Sequence, residues 1–574
     1  MRDLKFVVAK IVAVLLCSSY LDALAIETTT KTKLEATPRH AEVHADPEKI
    51  RAHVKFLASD LLEGRGTGQR GGDIAAEYIA TQLASYGLRP AGENGTYFQD
   101  VPMVGVKTLG ETSFNFVTTS LETMALKNLD DFVTNNESQT ETAYIDAPIV
   151  FVGYGINAPE YNWDDYKGVD LRGKVALLFV NEPTSDDPKF FKGKALTYYG
   201  GWKYKFEETA RRGAIAALII HRADLASYGW DVVRNSWGRE RFYLRGDGTP
   251  RLQAASWIQL EVAKKLAGMA GRDLDQLFEQ AQSKDFTPVE LPVRLQAHVA
   301  SQLRPFVSKN VLAVLPSYGA MSHEAVLYTA HYDSLGIDPD IKGDNIYNGA
   351  VDNATGCGVL LEIARVWSEA PPVPRAILFA AVTAGVQGLL GSEYLGKHSP
   401  VPAGKISLDL NYDALAPIGD PEEVEVAGAE RTTFYSTLQQ QAKALGLAIR
   451  PEAHPEAGNY YQSDHFSLAR AGIPAFSIAQ GLKFKGHDEA WGEVQLQDYV
   501  EHRYRQPTDE YRPAMDFTGN AKLAMFGYGL GVEAASRLVL IGWLPGDEFE
   551  ADRKRSQPLD LKAQQPKKTK SRRR

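Results

Sequence analysis

The chain has 574 residues, 44% of them hydrophobic and 24% charged, with a formal net charge of −9. It is too long for one ordinary domain, and its composition is that of a globular chain, not a disordered one. No stretch of its body approaches the ~20 continuous apolar residues of a bilayer span, which excludes a polytopic membrane protein.

Residues 1–25 open with Arg2 and Lys5, pass through the apolar Ile11–Cys17 and end Ala23-Leu24-Ala25. This is the pattern of a secretory signal peptide with a small-residue cleavage site, and it implies a periplasmic or secreted protein. Cys17 raises lipid anchoring, but Leu16 stands where such a site wants a small residue and argues against it. Beyond the signal, Cys357 is the only cysteine, so no intramolecular disulfide can form.

Residues 46–111 begin with an amphipathic helix over 47–60, followed by a Gly-rich turn and a second helix through Ala75–Leu83. The turn contains Gly66-Thr67-Gly68-Gln69-Arg70-Gly71, which matches the dinucleotide fingerprint. That fingerprint has mechanical meaning only between a strand and a helix, and here a helix precedes it, so we read the match as chance. Residues 112–300 have a β-rich α+β character. Strands are expected at Pro148–Tyr154, Lys174–Val180 and Ala214–His221, with a helix near Lys203–Arg212.

From 301 to 545 the pattern becomes regular α/β. Apolar runs at Ala325–Ala330, Ala376–Val382, Ile406–Leu410 and Pro474–Ile478 alternate with helical stretches at Gly356–Ser368 and Thr433–Leu445. A long helix near Ala521–Leu540 closes this part. Such alternation implies a mostly parallel sheet with helices on both faces. Residues 546–574 read as a basic disordered tail. From Arg553 onward ten Lys/Arg face one acid, a net +9 that leaves −18 for the rest of the chain. An acidic body argues against a nucleic-acid-binding protein, and the tail is a candidate contact for anionic surfaces.

Polar residues stand at the ends of the buried runs. His331 and Asp333 follow VLYTA, Asp413 follows ISLDLNY, and Asp352 lies in GAVDNATG at the entrance to a helix. Asp464 and His465 stand shortly before the last strand. Ligands of open α/β sheets bind beyond the carboxyl ends of the strands. A lone histidine there is usually an ordinary rim residue, but two with several aspartates at one edge point to a metal site. Imidazole and carboxylate are good zinc ligands, and a carboxylate can bridge two ions. Desolvating that many carboxylates without a cation is costly.

These segments resemble the co-catalytic zinc exopeptidases, the family that contains bacterial aminopeptidases, glutamate carboxypeptidases and the transferrin receptor. The resemblance spans about residues 46–545. It rests on LEGRGTG at Leu62–Gly68, GTYFQ at Gly95–Gln99, HYDSLG at His331–Gly336 and NGAVDNATG at Asn348–Gly356, with GLLGS at Gly388–Ser392 and SDHFSLARAGIP at Ser463–Pro474. It implies a zinc exopeptidase fold whose insert, residues 112–300, is a protease-associated-like domain. It makes Asp352 the bridging ligand, with His331 and Asp413 completing one zinc site and His465 serving a second. Asp333 is implied to orient His331 from behind, and the Asp352–Asn353 peptide bond to be cis.

One segment departs from the family. Just before GLLGS the family carries two adjacent glutamates, the general base and a ligand of the second zinc; here Gly385 and Val386 stand in those places. Losing a positioned base typically costs ~10²–10⁴ in rate, and the second ion keeps too few ligands for a closed site. Glu393 lies seven residues beyond Val386 and is not expected to reach, and Gln387 has no basicity. Two readings follow: an exported, aminopeptidase-like zinc exopeptidase with impaired hydrolysis, or an inactive relative that binds peptides or partners. Serine hydrolysis is set aside, because the chain has no G-x-S-x-G elbow.

Overall fold

The computed structural model describes residues 43–557 apart from 184, 188, 227, 228, 453 and 454. The expected signal peptide, and the tail beyond residue 557, lie outside the described residues.

Three strands, Ala325–His331, Ala376–Val382 and Ile406–Tyr412, are buried at every position. Near-continuous apolar runs behave this way when both faces of a parallel sheet are covered. Ala376–Val382 pairs in parallel with Ala325–His331, which pairs in parallel with Ile406–Tyr412, and the latter in parallel with Ala475–Gln480. An antiparallel strand borders this core, the last residues of Val289–Leu315 lying against Ala376–Val382. One face carries the helices Pro47–Leu57, Gly356–Glu369 and Thr518–Ser536, whose Val54, Leu360 and Phe526 join a core with Tyr328 and Leu410. The opposite face carries Leu390–His398 and Asp464–Arg470, whose Leu395 and Leu468 pack with Leu327 and Leu378. The α/β class with a mostly parallel, doubly covered sheet is therefore observed.

A second sheet runs, in order, 123–126, 113–118, 289–300, 142–151, 175–179, 216–221, 254–259 and 132–135. Its own core includes Phe114, Phe151, Leu218 and Leu295. The strand Val289–Leu315, 27 residues long, belongs to both sheets. Leu291, Val293, Leu295, Ala297 and Val299 are buried at alternate positions in its first half, the period of a half-covered strand. The expected boundary at residue 300 thus falls inside one continuous strand, and from His44 onward the chain clusters as one compact unit.

The basic C-terminal segment starts as structure, not as a disordered tail. Glu550–Ser556 is a helix, and Arg553 is only 3% exposed. Its guanidinium donates to the carbonyls of Ala403, Ile406, Gly472 and Ile541 at 3.0–3.3 Å. Arg553 reads as a surface charge in a basic run, but it is buried and donates to four backbone carbonyls.

Two glycines let Thr518–Ser536 approach the sheet. A Cβ on Gly527 would lie 1.6 Å from the Tyr412 hydroxyl, and one on Gly531 would lie 1.8 Å from that of Tyr328. The Tyr328 hydroxyl donates to the Gly527 carbonyl at 2.9 Å. Overpacking of this kind typically costs ~1–3 kcal/mol. Gly531→Ala is expected to lower unfolding stability by that amount in urea titration. Gly268→Ala, in a helix with open space at the new Cβ, is expected to cause no loss.

Candidate metal centre

His331 is the last residue of its strand, Asp413 directly follows Ile406–Tyr412, and Asp352 lies in the segment Ala350–Thr355 that leads into Gly356–Glu369. The three elements bring one imidazole and two carboxylates together beyond the carboxyl ends of the parallel strands. Their ligating atoms all lie within 4.8 Å of one another. Nε2 of His331 is 3.1 Å from Asp352 Oδ1 and 3.2 Å from Asp413 Oδ1. The Asp352–Asn353 peptide bond is cis, as the resemblance implies.

The tautomer of His331 follows from its other side. Nδ1 lies 3.1 Å from the Asp333 backbone carbonyl, and a carbonyl can only accept. Nδ1 therefore carries the proton, and the Nε2 lone pair faces the two carboxylates when the ring is neutral. Asp333 holds His331 chiefly through this carbonyl, since its carboxylate stands 3.6 Å from Nδ1. That carboxylate instead accepts from the Thr67 hydroxyl at 2.7 Å and the Gly385 N–H at 3.0 Å.

The electrostatics are those of a centre built for a cation. Burial opposes a charge on His331, but Asp413, Asp333 and Asp352 outweigh it and raise its pKa well above the usual imidazole range. Burial likewise works against ionised Asp413, yet His331 and a hydrogen bond from Ser463 hold its carboxyl below the ordinary range. One nitrogen and two carboxylate oxygens with an open side match the donor set of a three-ligand zinc site. The residues present fit one ion.

His465 lies outside that group. Neither of its ring nitrogens has a hydrogen-bond partner, and its ring meets Tyr460 edge-on at 4.7 Å. Burial pushes its pKa down to about 3, so it is neutral. Its neighbour Asp464 accepts from Ser392 at 2.6 Å, and burial pushes its carboxyl up to about 7. Glu393 is held between Lys203 and Lys397, both at 3.0 Å, as an ion-paired carboxylate.

The position expected for the general base is closed. A Cβ on Gly385 would lie 2.5 Å from both Cβ and Cγ of His331. Val386 is only partly buried and has no ligating atom.

Sequence reasoning missed the groups that hold the centre. Arg65, 1% exposed, donates to the carbonyls of Tyr332 at 2.7 Å, Asn348 at 2.6 Å and Gly349 at 2.9 Å, and also to Leu57. It fastens the loops carrying Asp333 and Asp352 to the first helix. Asp509 accepts from the N–H of Val351 at 3.0 Å and of Asp352 at 3.1 Å, and burial pushes its carboxyl up to about 6. Arg65 and Thr67 sit in the Gly-rich turn that resembles a nucleotide fingerprint; its real work is to position Asp333 and its neighbours.

A carboxylate–imidazole cluster able to hold a metal ion thus stands at the carboxyl edge of a doubly covered parallel sheet. Residues 310–524 match the model of Peptidase family M28. Aminopeptidase YwaD of Bacillus subtilis is 26% identical over 197 residues, covering 34% of this chain and 40% of that protein. The Mycobacterium tuberculosis protein named "Probable lipoprotein aminopeptidase LpqL" is 26% identical over 373 residues, covering 61% of this chain and 63% of that one. The chain thus spans less than two thirds of the length of either relative. The solved aminopeptidase from Aneurinibacillus sp. strain AM-1 aligns at 20% identity over 88% of this chain and 97% of that one, with a TM-score of 0.47.

Gly385→Ala places a methyl where the His331 ring stands. Because groups that orient a metal-bound imidazole are typically worth 10–100-fold in affinity, the variant is expected to bind zinc ~10–100-fold more weakly. Competition with a chromophoric chelator measures this directly, and unchanged affinity would show that His331 is not held by this contact.

Proposed function

We propose that the chain is an exported, zinc-dependent, aminopeptidase-like protein that binds peptides and hydrolyses them poorly. The observation that carries this reading is the convergence of His331, Asp352 and Asp413 at the carboxyl edge of the sheet. These three residues would hold zinc. Bound there, zinc would supply Lewis acidity, polarising a peptide carbonyl and making a water ligand more acidic.

The chain's own residues set how far such chemistry can go. Asp333 fixes the His331 tautomer through its carbonyl, and Thr67 and the Gly385 N–H fix Asp333. No carboxylate stands at position 385 to take a proton from an attacking water, and Glu393 is tied to two lysines. The reading therefore separates binding, which needs the three ligands, from turnover, which also needs a base. The N-terminal 1–25 pattern supports export, the β-rich 112–300 segment is read as a protease-associated-like unit, and the basic terminus as a contact for anionic surfaces.

The test is a paired measurement on the wild-type chain. Short peptides with free N-termini are expected to bind in a zinc-dependent manner in calorimetry. Aminoacyl anilides are expected to turn over ~10²–10⁴ more slowly than a site with a positioned base allows. Efficient hydrolysis would overturn the assignment of position 385, and binding indifferent to zinc would overturn the metal centre.

A further inference from the structure

The two oxygens of Asp352 face different partners. Oδ1 turns to Nε2 of His331 at 3.1 Å, inside the three-ligand group. Oδ2, the oxygen that a bridging carboxylate offers to a second ion, faces Nε of Arg505 at 3.6 Å. Arg505 adopts a left-handed conformation, φ 56°, just beyond the helix Glu489–His502. A non-glycine residue keeps such a backbone only where its surroundings impose it.

The surroundings here are specific. The same loop carries Asp509, whose carboxylate grips the N–H groups of Val351 and Asp352 and whose carbonyl accepts from Ala350 at 2.9 Å. One loop therefore fixes the backbone that bears Asp352 and lays a guanidinium against that residue's outer oxygen. The charge of Arg505 also acts on Asp413. On its other side Arg505 is open, its side chain 44% exposed.

A guanidinium keeps its proton at any pH the fold survives. A second divalent ion would have to share Asp352 Oδ2 with that fixed positive charge. We propose that Arg505 is the permanent second cation of this centre, so that the chain binds a single divalent ion on His331, Asp352 and Asp413. The inference rests on the metal centre of the proposed function and adds its stoichiometry.

The test uses the full chain stripped of metal with a chelator and titrated with zinc alone, with metal content measured after desalting. The wild type is expected to show one binding event and one zinc per chain. Arg505→Gln is expected to gain a second, weaker event that is absent from the wild-type titration, whereas Arg505→Lys keeps a single event. Circular dichroism checks that the variants fold, and the wild-type stoichiometry needs no variant. Two tight ions in the wild type would overturn this inference and leave the metal centre standing. So would an Arg505→Gln titration identical to that of the wild type. The absence of any zinc binding would overturn the metal centre itself, and this inference with it.

Discussion

Two carboxylates brought against one imidazole nitrogen, in a pocket that leaves His331 4% and Asp352 5% exposed, is the constraint around which the rest of this structure is arranged. Like charges so close repel, and burial strengthens the repulsion. The fold resists it with hydrogen bonds drawn from three distant segments, those of Ser463, Asp509 and Arg65. Ser463 donates to Asp413, the N–H groups of Val351 and Asp352 donate to Asp509, and Arg65 ties down the loops on either side. A cation in the centre would remove what repulsion remains. A cluster of buried carboxylates converging on one imidazole is a physical reason to read it as a candidate binding site.

The β-rich part of the chain takes part in this arrangement through its charges. Lys203 reaches Glu393 at 3.0 Å, and Arg470 reaches Glu207 at 2.6 Å. These pairs join the helix Trp202–Arg211 to the helices Leu390–His398 and Asp464–Arg470. Partly buried ion pairs contribute little net stability, but they penalise misalignment. Leu390–His398 follows the turn that carries Gly385, and Asp464–Arg470 carries His465. The β-rich part therefore ties down these two helices, and it does so partly through the carboxylate of Glu393, which is held in ion pairs with Lys203 and Lys397.

The parallel sheet and its site edge were legible in the sequence because most of its buried strands are rich in apolar residues, with chemistry-bearing residues at or just past their ends, although Ile406–Tyr412 also buries Ser407, Asp409 and Asn411. His331, Asp352 and Asp413 stood out on that ground. The strand Val289–Leu315 was not legible, since Pro292 and Pro305 break its run and its partners change halfway. The helix Glu489–His502 escaped for another reason: it buries only Gly492 and Tyr499 and has no apolar stripe. Arg65, Asp509 and Arg505 could not be found from spacing at all. Apart from the Arg65 bond to Leu57, their roles come from backbone carbonyls, N–H groups and one carboxylate oxygen more than a hundred residues away, contacts that leave no local pattern.

Position 385 shows why the missing glutamate is more than a deleted side chain. The turn after Ala376–Val382 is closed by N–H groups of Leu389, Leu390 and Gly391 donating to Gly385, Ala384 and Thr383, with Ala384 at φ 55°. In this arrangement the backbone of Gly385 lies directly against the His331 ring, and its N–H reaches Asp333. Real Cβ atoms essentially never come within 3.0 Å of such neighbours, and a Cβ at 385 would lie 2.5 Å from the His331 ring, so any side chain there must displace the turn or the imidazole. Glycine here lets the backbone hold, through Asp333 and the ring, the one ligand that the first metal site cannot spare. On the proposed reading, a base at 385 and the observed position of the His331 ring would compete for the same space in this turn.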